Sequence, residues 1–131
     1  MKKNEFFALA NLQSDNSRSW GASNDNFQVL CCWNVGKIKY GNSYYVEIFD
    51  LDNSLPQTQQ RKERKRHAAK ANQKNQVTYI LLGDGRDEDD RSYKNIELTD
   101  SLVVGGEVIP KNNKWYIELT NDVVSVQSLI L

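Results

Sequence analysis

Residues 56–76 read PQTQQRKERKRHAAKANQKNQ, a polar run set between two stretches rich in β-branched and aromatic side chains. Within it, seven basic residues (Arg61, Lys62, Arg64, Lys65, Arg66, Lys70 and Lys74) stand against the single acid Glu63. A segment so poor in large apolar side chains has little to offer a core, so the core must come from the sequence on either side of it. The chain therefore reads as two β-rich halves joined through a charged insert, within a single domain spanning residues 1–131.

The insert has the composition of a helix. Residues 57–73 contain no Gly or Pro, and Thr58 is their one β-branched residue. Ser54 is a candidate cap, with Pro56 in the first turn, where a missing N–H costs nothing. On a helix, Lys62, Arg66, Lys70 and Lys74 fall at successive i, i+4 positions and form a basic ridge, with Arg61 and Lys65 alongside. Like charges at that spacing repel by roughly 0.2–0.5 kcal/mol per pair. With no apolar stripe to pack, the expectation is a helix that frays, or an unfolded segment, until it meets negative charge.

The flanking sequence carries the period of strands. In residues 27–35, Phe27, Val29, Cys31, Trp33 and Val35 alternate with Gln28, Leu30, Cys32 and Asn34, as on a strand with one well-buried face. Residues 37–40 and 43–51 flank Gly41-Asn42, a pair suited to the positive φ angles of a tight hairpin. Residues 77–82, VTYILL, read as a central strand. Further short strands are expected at 96–98, 101–104, 107–109, 114–120 and 123–131, with Gly105-Gly106 as a turn or bulge and turns at 110–113 and Asn121-Asp122. Residues 5–12 are a short apolar segment of undecided type, and 14–26 an exposed loop in which Trp20 is expected to tuck into the edge of the core or, failing that, to contact a partner or a base. The fold class that follows is mainly β, or α+β: a small antiparallel barrel or sandwich of about six to eight short strands with one basic, helix-prone insert.

Composition narrows the function classes. Seventeen basic and seventeen acidic residues cancel, so electrostatic recognition must rest on local clusters and not on overall attraction. Cys31 and Cys32, the only cysteines, are adjacent; a vicinal disulfide is strained, so they read as reduced thiols of a cytoplasmic protein. No run approaches the ~20 apolar residues of a membrane helix, and the apolar stretch after Lys2-Lys3 is interrupted by Glu5. No membrane partner is expected.

Catalysis finds little material. His67, the only histidine, lies in the basic run, and the cysteines sit in a strand beside Leu30 and Trp33. No phosphate loop, nucleophile elbow or paired-carboxylate spacing occurs, so neither a catalytic residue nor a cofactor is assigned. The acidic run at 83–91, with Asp84, Asp87, Glu88, Asp89 and Asp90, lacks the alternate-position spacing of a calcium loop, and no metal site is assigned.

Two function classes remain. In the first, the chain is a non-enzymatic nucleic-acid-binding module for RNA or DNA. Arg61, Lys62, Arg64, Lys65, Arg66, Lys70 and Lys74 would contact phosphates, and Lys37, Lys39, Tyr40 and Tyr45 on the hairpin would add charge and stacking, with Tyr44 in the same mixture. In the second, it is a protein-interaction module, such as a small inhibitor, an immunity-type protein or an assembly subunit. There the basic cluster opposes Asp87, Glu88, Asp89 and Asp90, Trp20 is a contact residue, and the partner is an acidic protein surface or a second copy.

Overall fold

A computed structural model describes residues 1–16, 19–74, 76–83 and 98–130. The chain forms α1 (Lys3–Leu9), β1 (Gly21–Ser23), β2 (Phe27–Trp33), a 3-10 turn (Asn34–Gly36), β3 (Lys37–Tyr40), β4 (Ser43–Asp50), α2 (Gln59–Gln73), β5 (Val77–Gly83), β6 (Ser101–Lys111), β7 (Lys114–Ser125) and α3 (Val126–Leu129). The fold is mainly β, in the α+β sense. One seven-stranded sheet runs β1-β2-β5-β6-β7-β4-β3. It is mixed rather than wholly antiparallel, because β2 and β5 run parallel from Phe27↔Val77 to Trp33↔Gly83. The first half of the chain supplies both flanks of the sheet and the second half its centre, so the halves are interleaved rather than tethered.

Helices cover both faces. The alternation of β2 sends Val29, Cys31 and Trp33 to one side, where Phe6 and Phe7 of α1, Leu81 of β5 and Val126 of α3 complete a cluster. Leu30 and Cys32 point the opposite way and join Val46, Ile48, Ile80 and Ile117 beneath Ala68 and Ala71 of α2. Both faces of β2 are thus buried, where the alternation alone predicts one. A parallel pair in the middle of a sheet requires this.

Several local expectations change. Residues 5–12 resolve into a helix that starts at Lys3, and the loop at 14–26 contributes the edge strand β1. Gly105 and Gly106 lie in a bulged stretch of β6, so the two short strands around them are one long strand. Asn121-Asp122 is not a turn, because β7 runs through it to Ser125 before turning into α3. The β6–β7 turn is built on Asn112 and Asn113, both at positive φ (54° and 60°), the signature of a type I′ hairpin. In the β3–β4 turn only Gly41 takes a positive φ, 62°, as at the first central position of a II′ turn.

Candidate functional site

The polar insert is the first surprise. Residues 59–73 are helical, and they pack. Thr58, not Ser54, caps the helix by accepting the Arg61 N–H on Oγ1 at 3.2 Å, while Ser54 bonds Asp52 instead. The inward stripe is Glu63, Arg64, His67, Ala68 and Ala71, spaced i, i+1, i+4, i+5, i+8. The two alanines let the helix approach the sheet closely, and every larger residue of the stripe is polar. Such a stripe is stable only when its polar atoms find partners, because an unpaired buried polar group costs about 1–3 kcal/mol. The Glu63 carboxylate accepts the Asp15 N–H, and burial raises its pKa. The His67 carbonyl accepts a bond of 3.0 Å from Gln28 Nε2, whose other contact is Thr78 Oγ1 at 2.9 Å.

Arg64 is the centre of this arrangement. It is 5% exposed. Its Nε donates to the Ile48 carbonyl at 2.6 Å, Nη1 to the Trp20 carbonyl at 2.9 Å, and Nη2 to the Cys31 carbonyl at 2.8 Å and Cys32 Sγ at 3.2 Å. These acceptors sit where edge strands have stopped. Pairing of β1 with β2 ends at Gly21↔Leu30, and that of β3 with β4 ends at Lys37↔Val46. A register shift between Glu47 and Phe49 also leaves Ile48 without an opposite residue on β7. The guanidinium therefore ties β2 to β4, which are not neighbours in the sheet. Arg64 was expected at phosphates; it is instead a buried clamp with its donors directed at backbone.

The rest of the basic set divides by exposure. Arg61 is half-buried, with Nη1 on the Asp50 carbonyl at 2.8 Å, Nη2 on the Asp52 carbonyl at 3.1 Å, and its guanidinium 4.6 Å from the centre of the Phe49 ring. Arg66 is exposed and pairs with Asp15 at 2.7 Å, which holds the Asp15 carboxyl below its usual range. Lys74 ends the helix in the left-handed region (φ 55°) and meets Glu107 at 3.4 Å in a solvent-exposed pair. Lys62 and Lys65 are exposed and Lys70 half-exposed on the outer face.

The hairpin supplies the aromatic component, with one exchange. Tyr40 and Tyr44 are 52% and 49% exposed, whereas Tyr45 is buried and meets the Tyr40 ring edge-on at 6.1 Å. Tyr45, expected as a stacking residue, is thus a support for Tyr40, and Tyr44 takes the exposed position. Lys37 and Lys39 hold their ammonium groups 5.1 and 5.8 Å from the Tyr44 ring centre, and Lys111 of β6 lies 4.6 Å from that of Tyr40. Lys111 went unseen in the sequence, because only the tertiary fold brings β6 near the hairpin. The registers Lys37↔Val46 and Lys39↔Tyr44 put these two lysines and Tyr44 on the side of the sheet that α2 covers.

A cleft of about 450 Å³ opens at the end of the sheet, between the 3-10 turn, the last residues of β4, the segment before α2, and α2 itself. Trp20, Trp33, Phe49 and Pro56 give it apolar walls, and Arg61, Arg64 and Lys114 with Glu47 and Asp50 give it charge. Trp20 tucks into the edge of the core, the first of its two expected placements: it is half-buried, packs against the cluster of Phe6 and Trp33, and meets the Trp33 ring edge-on at 6.2 Å. Glu47 and Lys114 pair at 2.8 Å, which raises the Lys114 pKa.

The remaining reactive side chains are sequestered. Burial pushes the Cys31 thiol up to about 12 and raises that of Cys32 despite the adjacent Arg64. The His67 imidazole is held down at about 4, by burial first and then by the Arg64, Lys70 and Arg66 cations. Asp87, Glu88, Asp89 and Asp90 lie outside the described residues. Among the described residues no group of three or more His, Cys, Asp or Glu converges as a metal site, and no helix is long and apolar enough to cross a membrane. No protein-family model matches the sequence, and no curated protein or solved structure matches it.

Proposed function

We propose that the protein binds single-stranded nucleic acid across the β3–β4 edge, with Tyr44 on the α2 side and Tyr40 on the opposite face as stacking platforms and lysines as phosphate contacts. The observation that carries this reading is the pairing of each exposed tyrosine with ammonium groups: Lys37 and Lys39 at Tyr44, and Lys111 at Tyr40. Lysines on an edge strand also discourage edge-to-edge pairing, but that task does not require two tyrosines half open to water. Aromatic faces beside cations suit a strand whose bases are free to stack. The outer lysines of α2, Lys62, Lys65 and Lys70, extend the positive surface on the side of the sheet that carries Lys37 and Lys39.

The test is fluorescence anisotropy with labelled single-stranded and duplex DNA and RNA across a salt series. Each stacked base is worth about 1–3 kcal/mol, so Tyr40→Ser with Tyr44→Ser should weaken single-strand binding at least tenfold without changing its salt slope. Replacing Lys37, Lys39 and Lys111 by Ser should flatten the slope of log K against log salt by about 2. If no oligonucleotide binds at low salt, the reading is wrong, and the same surface becomes a protein-docking edge to be sought by crosslinking.

A further inference from the structure

The end-of-sheet cleft lies next to the hairpin in space and in sequence. Gly36 lines it, and the following residue is Lys37 of the proposed binding edge. Its volume, about 450 Å³, falls within the ~300–1,000 Å³ range of small-molecule sites. That is room for one nucleotide and not for a duplex.

Its chemistry is selective. Arg61 and Arg64 bring two guanidinium cations to the cleft. Their hydrogen bonds go to backbone carbonyls and one thiol, and among the described residues neither forms an ion pair with a carboxylate. Arg61 also keeps its Nε–H buried without an acceptor among those residues. The lining sets the cations of Arg61, Arg64 and Lys114 against the carboxylates of Glu47 and Asp50, a surplus of positive charge that favours an anionic ligand. The neighbouring surfaces suit a flat one: the Arg61 guanidinium lies against the Phe49 ring, and the Trp20 and Trp33 rings form another wall. Glu47, on the rim with Lys114, supplies carboxylate oxygens of the kind that accept from exocyclic amino groups of bases.

From this arrangement we infer that the cleft holds a single splayed-out nucleotide, its base against the Trp20, Trp33 and Phe49 walls and its phosphate at Arg61. The inference rests on the nucleic-acid reading and extends it. The edge would carry the strand, and the cleft would receive one unstacked nucleotide at its end, an arrangement that favours termini over internal sequence.

The probe is AMP, titrated into the full-length, isotope-labelled protein and followed by amide chemical shifts, with ribose 5-phosphate and inorganic phosphate as controls. Shifts are expected at Val35, Gly36, Phe49 and Leu55, which line the cleft. They should survive in the Tyr40→Ser, Tyr44→Ser double variant. Arg61→Gln should weaken AMP at least about tenfold, as loss of a charged hydrogen bond does. Because wild-type mapping locates the site by itself, a destabilised Arg61 variant would not remove the test. AMP shifts confined to residues 37–44 overturn the inference. Oligonucleotide binding without any response to AMP also overturns it and leaves the edge reading standing. Equal shifts from phosphate alone reduce the cleft to an anion site and reject the nucleotide. AMP binding in the cleft without oligonucleotide binding sustains the cleft and rejects the edge.

Discussion

Replacing Arg64 by Met tests the account of α2 most directly. The substitution keeps an unbranched apolar stem about as far as Nε and removes the charge and all four donated contacts: the carbonyls of Ile48, Trp20 and Cys31, and Cys32 Sγ. The Trp20 carbonyl retains a partner, since it also accepts the Cys31 N–H at 2.7 Å. The Ile48 and Cys31 carbonyls lose the donor that meets them beyond the ends of β3 and β1. Hydrogen bonds to a charged group contribute about 1.5–3 kcal/mol each. Against this stands the desolvation of a guanidinium at 5% exposure, several kcal/mol that the methionine does not incur. The Ile48 and Cys31 carbonyls, left buried and unpaired at about 1–3 kcal/mol each, are partly offset by the relieved desolvation, so the net loss should be about 2–4 kcal/mol. At a urea dependence of about 1–3 kcal/mol/M the unfolding midpoint should fall by about 2 M. Arg64→Lys should do nearly as badly, because a point charge on a flexible stem cannot reach three carbonyls in a fork. Urea titration followed by circular dichroism reads both. If Arg64→Lys keeps wild-type stability, the clamp is wrong and a phosphate-contacting Arg64, for which lysine would serve, returns.

Three further outcomes are expected. Gly21→Ala would place a Cβ 2.8 Å from the Val29 carbonyl and 3.0 Å from His67 Nδ1, pushing α2 off the sheet; a loss of about 1–3 kcal/mol in urea titration is expected, and an unchanged midpoint would show that the helix has room to move. His67, neutral in the folded state at about 4 against the ordinary 6.5, makes unfolding take up a proton as the pH falls. Its contribution is intact above about pH 6.5 and declines toward pH 4, by up to about 3 kcal/mol. The difference in stability between wild type and His67→Asn, measured by urea titration at each pH, should shrink across that window, and a pH-independent difference would refute it. The Cys31 and Cys32 thiols should resist a maleimide in the folded protein and react fully in denaturant, checked by intact mass; rapid labelling of the native chain would contradict their burial.

Much of the sheet was legible because alternation is a local property. Val29, Cys31 and Trp33 do share a face, Gly41 makes its turn, and the basic run is a helix with Lys62 and Lys65 outside. The errors came where local rules are silent. A helix with no apolar stripe was expected to find no core, and the structure instead buries Glu63 and Arg64 by giving them partners, while His67 Nδ1 lies buried without one among the described residues. Tyr44 and Tyr45 differ by one position, and their order was decided by which side of β4 the neighbouring rings and lysines occupy.

Chain composition and spacing by themselves determined the strands β2 to β5, the turns at Gly41-Asn42 and 110–113, that one segment concentrates positive charge, and that this segment favours helix. Each of these depends on residues within a turn or a few positions of one another. The parallel meeting of β2 and β5, the burial of Arg64 and the cleft beside it were decided only by the tertiary structure. Three of the four acceptors of Arg64 come from 16, 33 and 44 residues away and are backbone carbonyls, which every residue possesses. A carbonyl left over where an edge strand stops has no signature in side-chain sequence. It becomes a site only once strands from both halves of the chain lie side by side.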